Sequence, residues 1–263
     1  MPGVLSDRVG IDALGASLFD AAMPLVTTSL LPLATAQAMW LLYRRVSFLP
    51  EPEGPIEGFH RGTEPPLRVV FVGDSSVVGV GVSHTDEAIG SAFAHAWSQR
   101  TGQAVHWQLY GRYGATTHEI LCDVVPRMQQ EPIDLIIIST GTNDIMRCTP
   151  AHRYGANLKK LVHRVRDTTG PAPVVICQLP PLWCFPSLPE PLRTWASARR
   201  HRLDRHQQRA SDALAQAHRL AGIDRVDPAL FAQDGFHPGP NGYRYWGESL
   251  SESVLKMRIL SVP

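Results

Sequence analysis

A serine hydroxyl becomes a nucleophile near neutral pH only when a base reaches it and a third group orients that base. The chain carries candidates for these roles in two distant stretches. Ser75 lies in Gly73-Asp74-Ser75-Ser76, directly after the apolar run Val69-Val70-Phe71-Val72. Asp234 and His237 lie three residues apart in Asp234-Gly235-Phe236-His237-Pro238, and Pro238 and Pro240 stop a helix from running through, so both sit in one rigid loop. A carboxylate at that spacing can meet the imidazole Nδ1 across a turn and leave Nε2 to face a hydroxyl, the arrangement of acyl transfer. Two other residues suit an anionic atom near such a site. Gly114, in Tyr110-Gly111-Arg112-Tyr113-Gly114-Ala115-Thr116-Thr117, lets a backbone N–H approach a ligand closely. Asn143, in Thr140-Gly141-Thr142-Asn143-Asp144, offers a side-chain amide. Each has a plainer reading: Ser75 as a helix cap, Asn143 as an N-cap, Gly114 as a turn, His237 as a solvated loop residue.

These residues need a scaffold that brings distant loops together, and the hydrophobic pattern supplies one. Short apolar runs predict strands at 68–73, 104–110, 133–139, 173–179 and 223–227, and amphipathic segments predict helices at 86–100, 116–128, 151–168, 191–221 and 240–257. Such alternation gives an α/β, three-layer αβα sandwich on a five-stranded parallel sheet, flavodoxin-like in type. The loops after successive parallel strands converge on one edge of the sheet, where ligands bind. Ser75, Gly114 and Asn143 each follow a predicted strand.

Taken in order and at these separations, the four blocks around Ser75, Gly114, Asn143 and Asp234/His237 resemble the SGNH hydrolases, also called the GDSL lipase/esterase superfamily. The resemblance runs from about Leu67 to the last helix. It implies Ser75 as nucleophile, His237 as general base and then acid, and Asp234 as its orienter. The implied oxyanion hole is the backbone N–H of Ser75 and of Gly114 with the side chain of Asn143. Ser76 departs mildly from the family's first block and is by position alone an alternative nucleophile. The chain lacks G-x-S-x-G, so the strained elbow of α/β-hydrolases is not expected.

Outside the blocks the sequence is less specific. With 25 Lys and Arg against 24 Asp and Glu, the formal charge of +1 gives no basic excess for nucleic acid. G-K-[ST], H-E-x-x-H and C-x-x-C are absent, so no cofactor or metal is implied. Cys122 and Cys177 lie in apolar periodic segments and read as buried thiols.

Residues 1–46 form a separate unit, because 21–43 carry no charge and are long enough for a membrane anchor or interfacial helix; a helix packed on the domain is the alternative. A cleavable signal peptide suits the segment less well, since more acid than base precedes it. If the segment spans, Arg44 and Arg45 put the domain on the cytoplasmic side, with a periplasmic or exported domain as the alternative. Residues 47–66, rich in Pro, read as a linker, and 67–263 as the hydrolase domain. The loop Leu179 to Pro189 holds Trp183 and Phe185, either as a wall of an acyl pocket or as cover for the sheet edge. Arg193, Arg199, Arg200, Arg202, Arg205 and Arg209 read as a solvated helix face, with anionic headgroups as the sharper alternative. Together these features point to a small-molecule or lipid-like ester, of short to medium acyl chain and including lysophospholipids. A deacetylase of carbohydrates and a non-catalytic binding protein on the same fold are the rivals.

Overall fold

The computed structural model describes residues 28–30, 32–33, 36–37, 49–220 and 225–260. Strands β1 (Glu57–His60), β2 (Thr63–Gly73), β3 (Gln103–Gly111), β4 (Leu135–Ser139), β5 (Val174–Ile176) and β6 (Ala217–Arg219) form a six-stranded sheet in the order β1-β3-β2-β4-β5-β6. From β3 across to β6 every neighbour is parallel, in a doubly wound order, while β1 pairs antiparallel with β3. The parallel sheet is thus as expected, extended by one antiparallel edge strand.

Parity along the strands fixes the layers. Val70, Val72, Ile136 and Ile138 face one side, against Tyr154, Leu158 and Val162 of α5 (Ala151–Thr169) and Trp195 and Leu203 of α6 (Leu192–Asp212). Val69, Phe71, Leu135 and Ile137 face the other, against Phe93 and Trp97 of α2 (Ile89–Thr101) and Tyr243, Leu250 and Val254 of α7 (Pro240–Met257). Because both faces of the central strands are buried, those strands read as continuous apolar runs. Three shorter helices, α1 (Ser75–Val78), α3 (Thr117–Glu119) and α4 (Thr142–Met146), all stand at the carboxyl ends of strands.

The structure departs from the sequence-based reading in several places. Residues 57–60, read as linker, form β1, and β2 begins at Thr63; Pro65 and Pro66 fit because the β2–β3 register shifts between Thr63 and Leu67, where the ladder is interrupted. The last strand is Ala217–Arg219 rather than 223–227. This short edge strand is only half-buried, so it carries no apolar run, and residues 221–224 lie outside the described residues.

The helix expected over 116–128 is three pieces: α3, a π turn at Ile120–Val124 and a 3-10 turn at Val125–Arg127. Pro126 has no N–H to continue an α-helix, and its ring crowds the preceding turn. That widened turn sends Ile120 and Val124 inward and leaves Cys122 exposed against His118, whereas Cys177 is buried and its thiol is pushed up to about 12, chiefly by burial.

The arginines of α6 are not all solvated. Arg200 is buried and donates to the carbonyls of Leu179 (2.8 Å) and Pro180 (2.9 Å), and Arg199 to those of Ile145 and Thr149 (3.0 Å each). They clamp loops at the strand ends.

Most of 21–43 lies outside the described residues. Within it, Leu30 packs on the core, and Gln37 donates to the Glu190 carbonyl (2.6 Å) and accepts from the Leu192 N–H (3.0 Å). No helix among the described residues is long and apolar enough to cross a membrane.

Candidate active site

Strand register brings the blocks together. Gly73 is level with Gly111 on one side and Ser139 on the other, so the segments after β2, β3 and β4 leave the sheet side by side. A Cβ on Gly73 would stand 2.1 Å from the Ser139 carbonyl oxygen, so only glycine allows the chain to turn here. The Asp74 side chain accepts from the Ser76 N–H (3.1 Å) and Oγ (2.9 Å), closing the turn and leaving Ser75 at the head of α1.

The Ser75 Oγ lies 3.0 Å from His237 Nε2, and His237 Nδ1 lies 2.6 Å from Asp234 Oδ2. Burial alone would raise the Asp234 carboxyl. Hydrogen bonds from the His237 ring and from the N–H groups of Phe236 (2.9 Å) and His237 (3.0 Å) outweigh it and hold the group below the ordinary carboxylate range. An ionised carboxylate only accepts, so Nδ1 carries the imidazole proton and Nε2 is left to accept from Ser75.

Ser76 has no such base: its Oγ is engaged by Asp74 and stands 3.2 Å from the Ser139 Oγ. The Asp234 loop is held from outside by Ser187, whose N–H and Oγ both donate to the Gly235 carbonyl (3.2 and 3.0 Å).

Gly114 has φ +66, the left-handed region that glycine enters freely. Its neighbours place it between the other parts. The Tyr113 ring is 5.8 Å from that of His237, and the Ala115 carbonyl accepts from Asn143 Nδ2 (3.1 Å). Neither the Ser75 nor the Gly114 N–H is taken by a backbone carbonyl among the described residues. The structure thus brings Ser75, Asn143, Asp234 and His237 around one point, with Gly114 between Tyr113, which meets the His237 ring, and Ala115, which accepts from Asn143.

A cavity of about 200 Å³ opens from this point. Besides Ser75, Asn143 and His237 it is lined by Leu179, Phe185, Phe231, Trp246 and Leu250, with Cys177 among its walls. Phe185 is buried and packs edge-on to Phe231 and Phe236, whereas Trp183 is exposed and stacks with Arg200 outside the cavity. The pocket-wall reading of that loop therefore fits Phe185 and not Trp183. Trp246 and Leu250 belong to no motif in the sequence, although they follow Tyr243 at helical spacing on the inward face of α7. Asp74 and Asp144 are also buried beside the site; desolvation pushes each carboxyl up, opposed by hydrogen bonds from Ser76 and Thr117 respectively. Among the described residues no cluster of His, Cys, Asp or Glu is placed to hold a metal ion.

Residues 71–245 match the model of the GDSL-like Lipase/Acylhydrolase family, and the chain belongs to that family. It is 30% identical over 198 residues to the GDSL-like esterase Rv1075c of Mycobacterium tuberculosis (strain ATCC 25618 / H37Rv), a match covering 72% of this chain and 62% of that protein. The chain thus spans less than two thirds of that relative's length. The fold is shared with the psychrotrophic esterase EstA of Pseudoalteromonas sp. (TM-score 0.57, 16% identity, 72% of this chain and 97% of that one). It is shared also with Est24, a carbohydrate acetylesterase of Sinorhizobium meliloti (TM-score 0.54, 17% identity, 73% and 99%).

Proposed function

We propose that the protein is a serine ester hydrolase that cleaves carboxylic esters of short to medium acyl chain through an acyl-enzyme. The observation that carries this reading is the unbroken line Asp234 Oδ2, His237 Nδ1, His237 Nε2, Ser75 Oγ, with steps of 2.6 and 3.0 Å. Ser75 Oγ attacks the ester carbonyl carbon while its proton passes to Nε2. The negative oxygen that develops is met by the N–H groups of Ser75 and Gly114 and by Asn143 Nδ2, whose long contact to Asp74 Oδ2 (3.5 Å) it replaces, each donor lowering the barrier by about 3 kcal/mol. Collapse expels the alcohol, which takes the proton from His237. Water then repeats the sequence on the acyl-enzyme, releasing the acid and restoring Ser75.

The acyl preference follows from the cavity, whose walls beyond Ser75 and Asn143 are largely apolar. Each methylene removed from water contributes about 0.8 kcal/mol, so two more should raise kcat/KM about 10-fold. With p-nitrophenyl esters and the full chain, butyrate is therefore expected to be cleaved about 10-fold more efficiently than acetate, and palmitate, too long to be enclosed, less well than butyrate. Turnover no faster than that of S75A would contradict ester hydrolysis. Faster release of acetate from acetylated sugars than from these esters would replace the acyl-ester reading with that of a carbohydrate deacetylase.

A further inference from the structure

Asn143 and Gly114 belong to different loops, yet their donors must converge on one oxygen, and small misplacements of such groups are costly. Three contacts tie the Gly114 loop to α4. The Asn143 amide donates to the Ala115 carbonyl (3.1 Å). Arg147 pairs with Glu119 (2.9 Å), which in turn accepts from the Thr116 N–H (2.8 Å) and Oγ1 (2.9 Å). Asp144 Oδ2 accepts from both the N–H and the Oγ1 of Thr117 (2.8 Å each), and that hydroxyl stands 3.1 Å from Thr140 Oγ1 at the end of β4.

The three differ in environment. The side chain of Arg147 is 54% exposed, so its ion pair is weakened by solvent and salt. Asp144 and Thr117 are both 0% exposed, where a hydrogen bond is strong and no water can replace it. Asp144 is adjacent to Asn143 in the chain, and Thr117 stands three residues after Gly114, so the buried contact holds the two donor-bearing segments in register.

We infer that Asp144 is a positioning residue for the oxyanion site: through Thr117 it fixes the Gly114 loop relative to Asn143 without touching substrate. This rests on the ester-hydrolase reading above. It gives the buried carboxylate a task that neither the serine–histidine–aspartate line nor the cavity requires.

The test is a double-mutant cycle on the full chain with p-nitrophenyl butyrate, comparing wild type, D144A, N143A and the double variant. D144A is expected to lower kcat about 10- to 100-fold with KM changed less than about 2-fold, and to leave the shape of the pH–rate profile unaltered. In the N143A background, where one of the two donors being aligned is missing, the same substitution should cost less than about 3-fold. T117V, which keeps the backbone donor and deletes only the hydroxyl, should show a smaller loss with the same dependence on Asn143, and it serves if D144A does not fold. An equal loss in both backgrounds would mark Asp144 as merely structural and overturn the inference. Wild-type turnover with D144A and T117V unchanged would also overturn it while leaving the ester reading intact. No wild-type turnover at all would overturn both.

Discussion

S75A is expected to lose about 10⁶-fold in kcat, as when the nucleophile is removed from a serine–histidine–acid enzyme, whereas S76A stays within a few-fold of wild type. The two serines are neighbours in sequence but not in chemistry. Ser75 Oγ has His237 Nε2 at 3.0 Å, while Ser76 Oγ has only Asp74 and the Ser139 hydroxyl within reach. Without an imidazole to take its proton, a hydroxyl near neutral pH is almost wholly protonated and a poor nucleophile. Losing the Ser76 hydroxyl removes hydrogen bonds that net about 1 kcal/mol each, enough to loosen the turn slightly but not to stop attack by Ser75. Initial rates on p-nitrophenyl butyrate, with circular dichroism to confirm the fold, decide the ranking. A larger loss in S76A than in S75A would reverse the assignment.

D234N is expected to lower kcat about 10⁴-fold, more than its small change in volume suggests. Asp234 Oδ1 already accepts from two backbone N–H groups, at 2.9 and 3.0 Å. In an Asn the carbonyl oxygen must take that position, which turns the NH₂ toward His237 Nδ1. Nδ1 is then forced to accept, the imidazole proton moves to Nε2, and Nε2 presents a hydrogen to a hydroxyl it should deprotonate. The pH dependence of stability has a definite sign. Because the folded carboxyl lies below its ordinary value, its contribution is fully present above the unfolded pKa of about 3.9 and is lost as pH falls through the folded value. The stability gap between wild type and D234N in urea should accordingly be constant from pH 5 to neutrality and shrink only below about pH 4. A gap that closes already between pH 5 and 7 would show that Asp234 is not held ionised by this loop.

What the sequence revealed and what it hid have physical causes. Val69–Val72 and Leu135–Ile138 are buried on both faces, so burial wrote itself into unbroken apolar runs and the central strands were legible. Residues at the ends of those runs were legible for the same reason, because parallel topology delivers them to one edge whatever their distance along the chain. The edges were not. β1 is an exposed edge strand in a Pro-rich segment, and β6, half-buried Ala-His-Arg, presents no pattern that distinguishes it from a loop.

The helix ending at Asp212 lacks the glycine or proline that usually signals a stop, so its pattern extends to 221 in the sequence. α-Helical spacing points Cys122 inward, and the π turn breaks that spacing. Nothing in a single chain shows that the Asp144 carboxylate, 27 residues from Thr117, is its hydrogen-bond acceptor. Choosing Ser75 over Ser76 needed the resemblance in the sequence; in the structure one distance separates them.

Activation of Ser75 as the nucleophile can be read without knowing the natural ester. The full chain would be treated with a fluorophosphonate probe, digested and mapped by mass spectrometry. One phosphonylated serine is expected, Ser75, with no adduct in S75A and a greatly slowed adduct in H237A. Absence of any adduct in the wild type, or an adduct on Ser76 that persists in S75A, would contradict it.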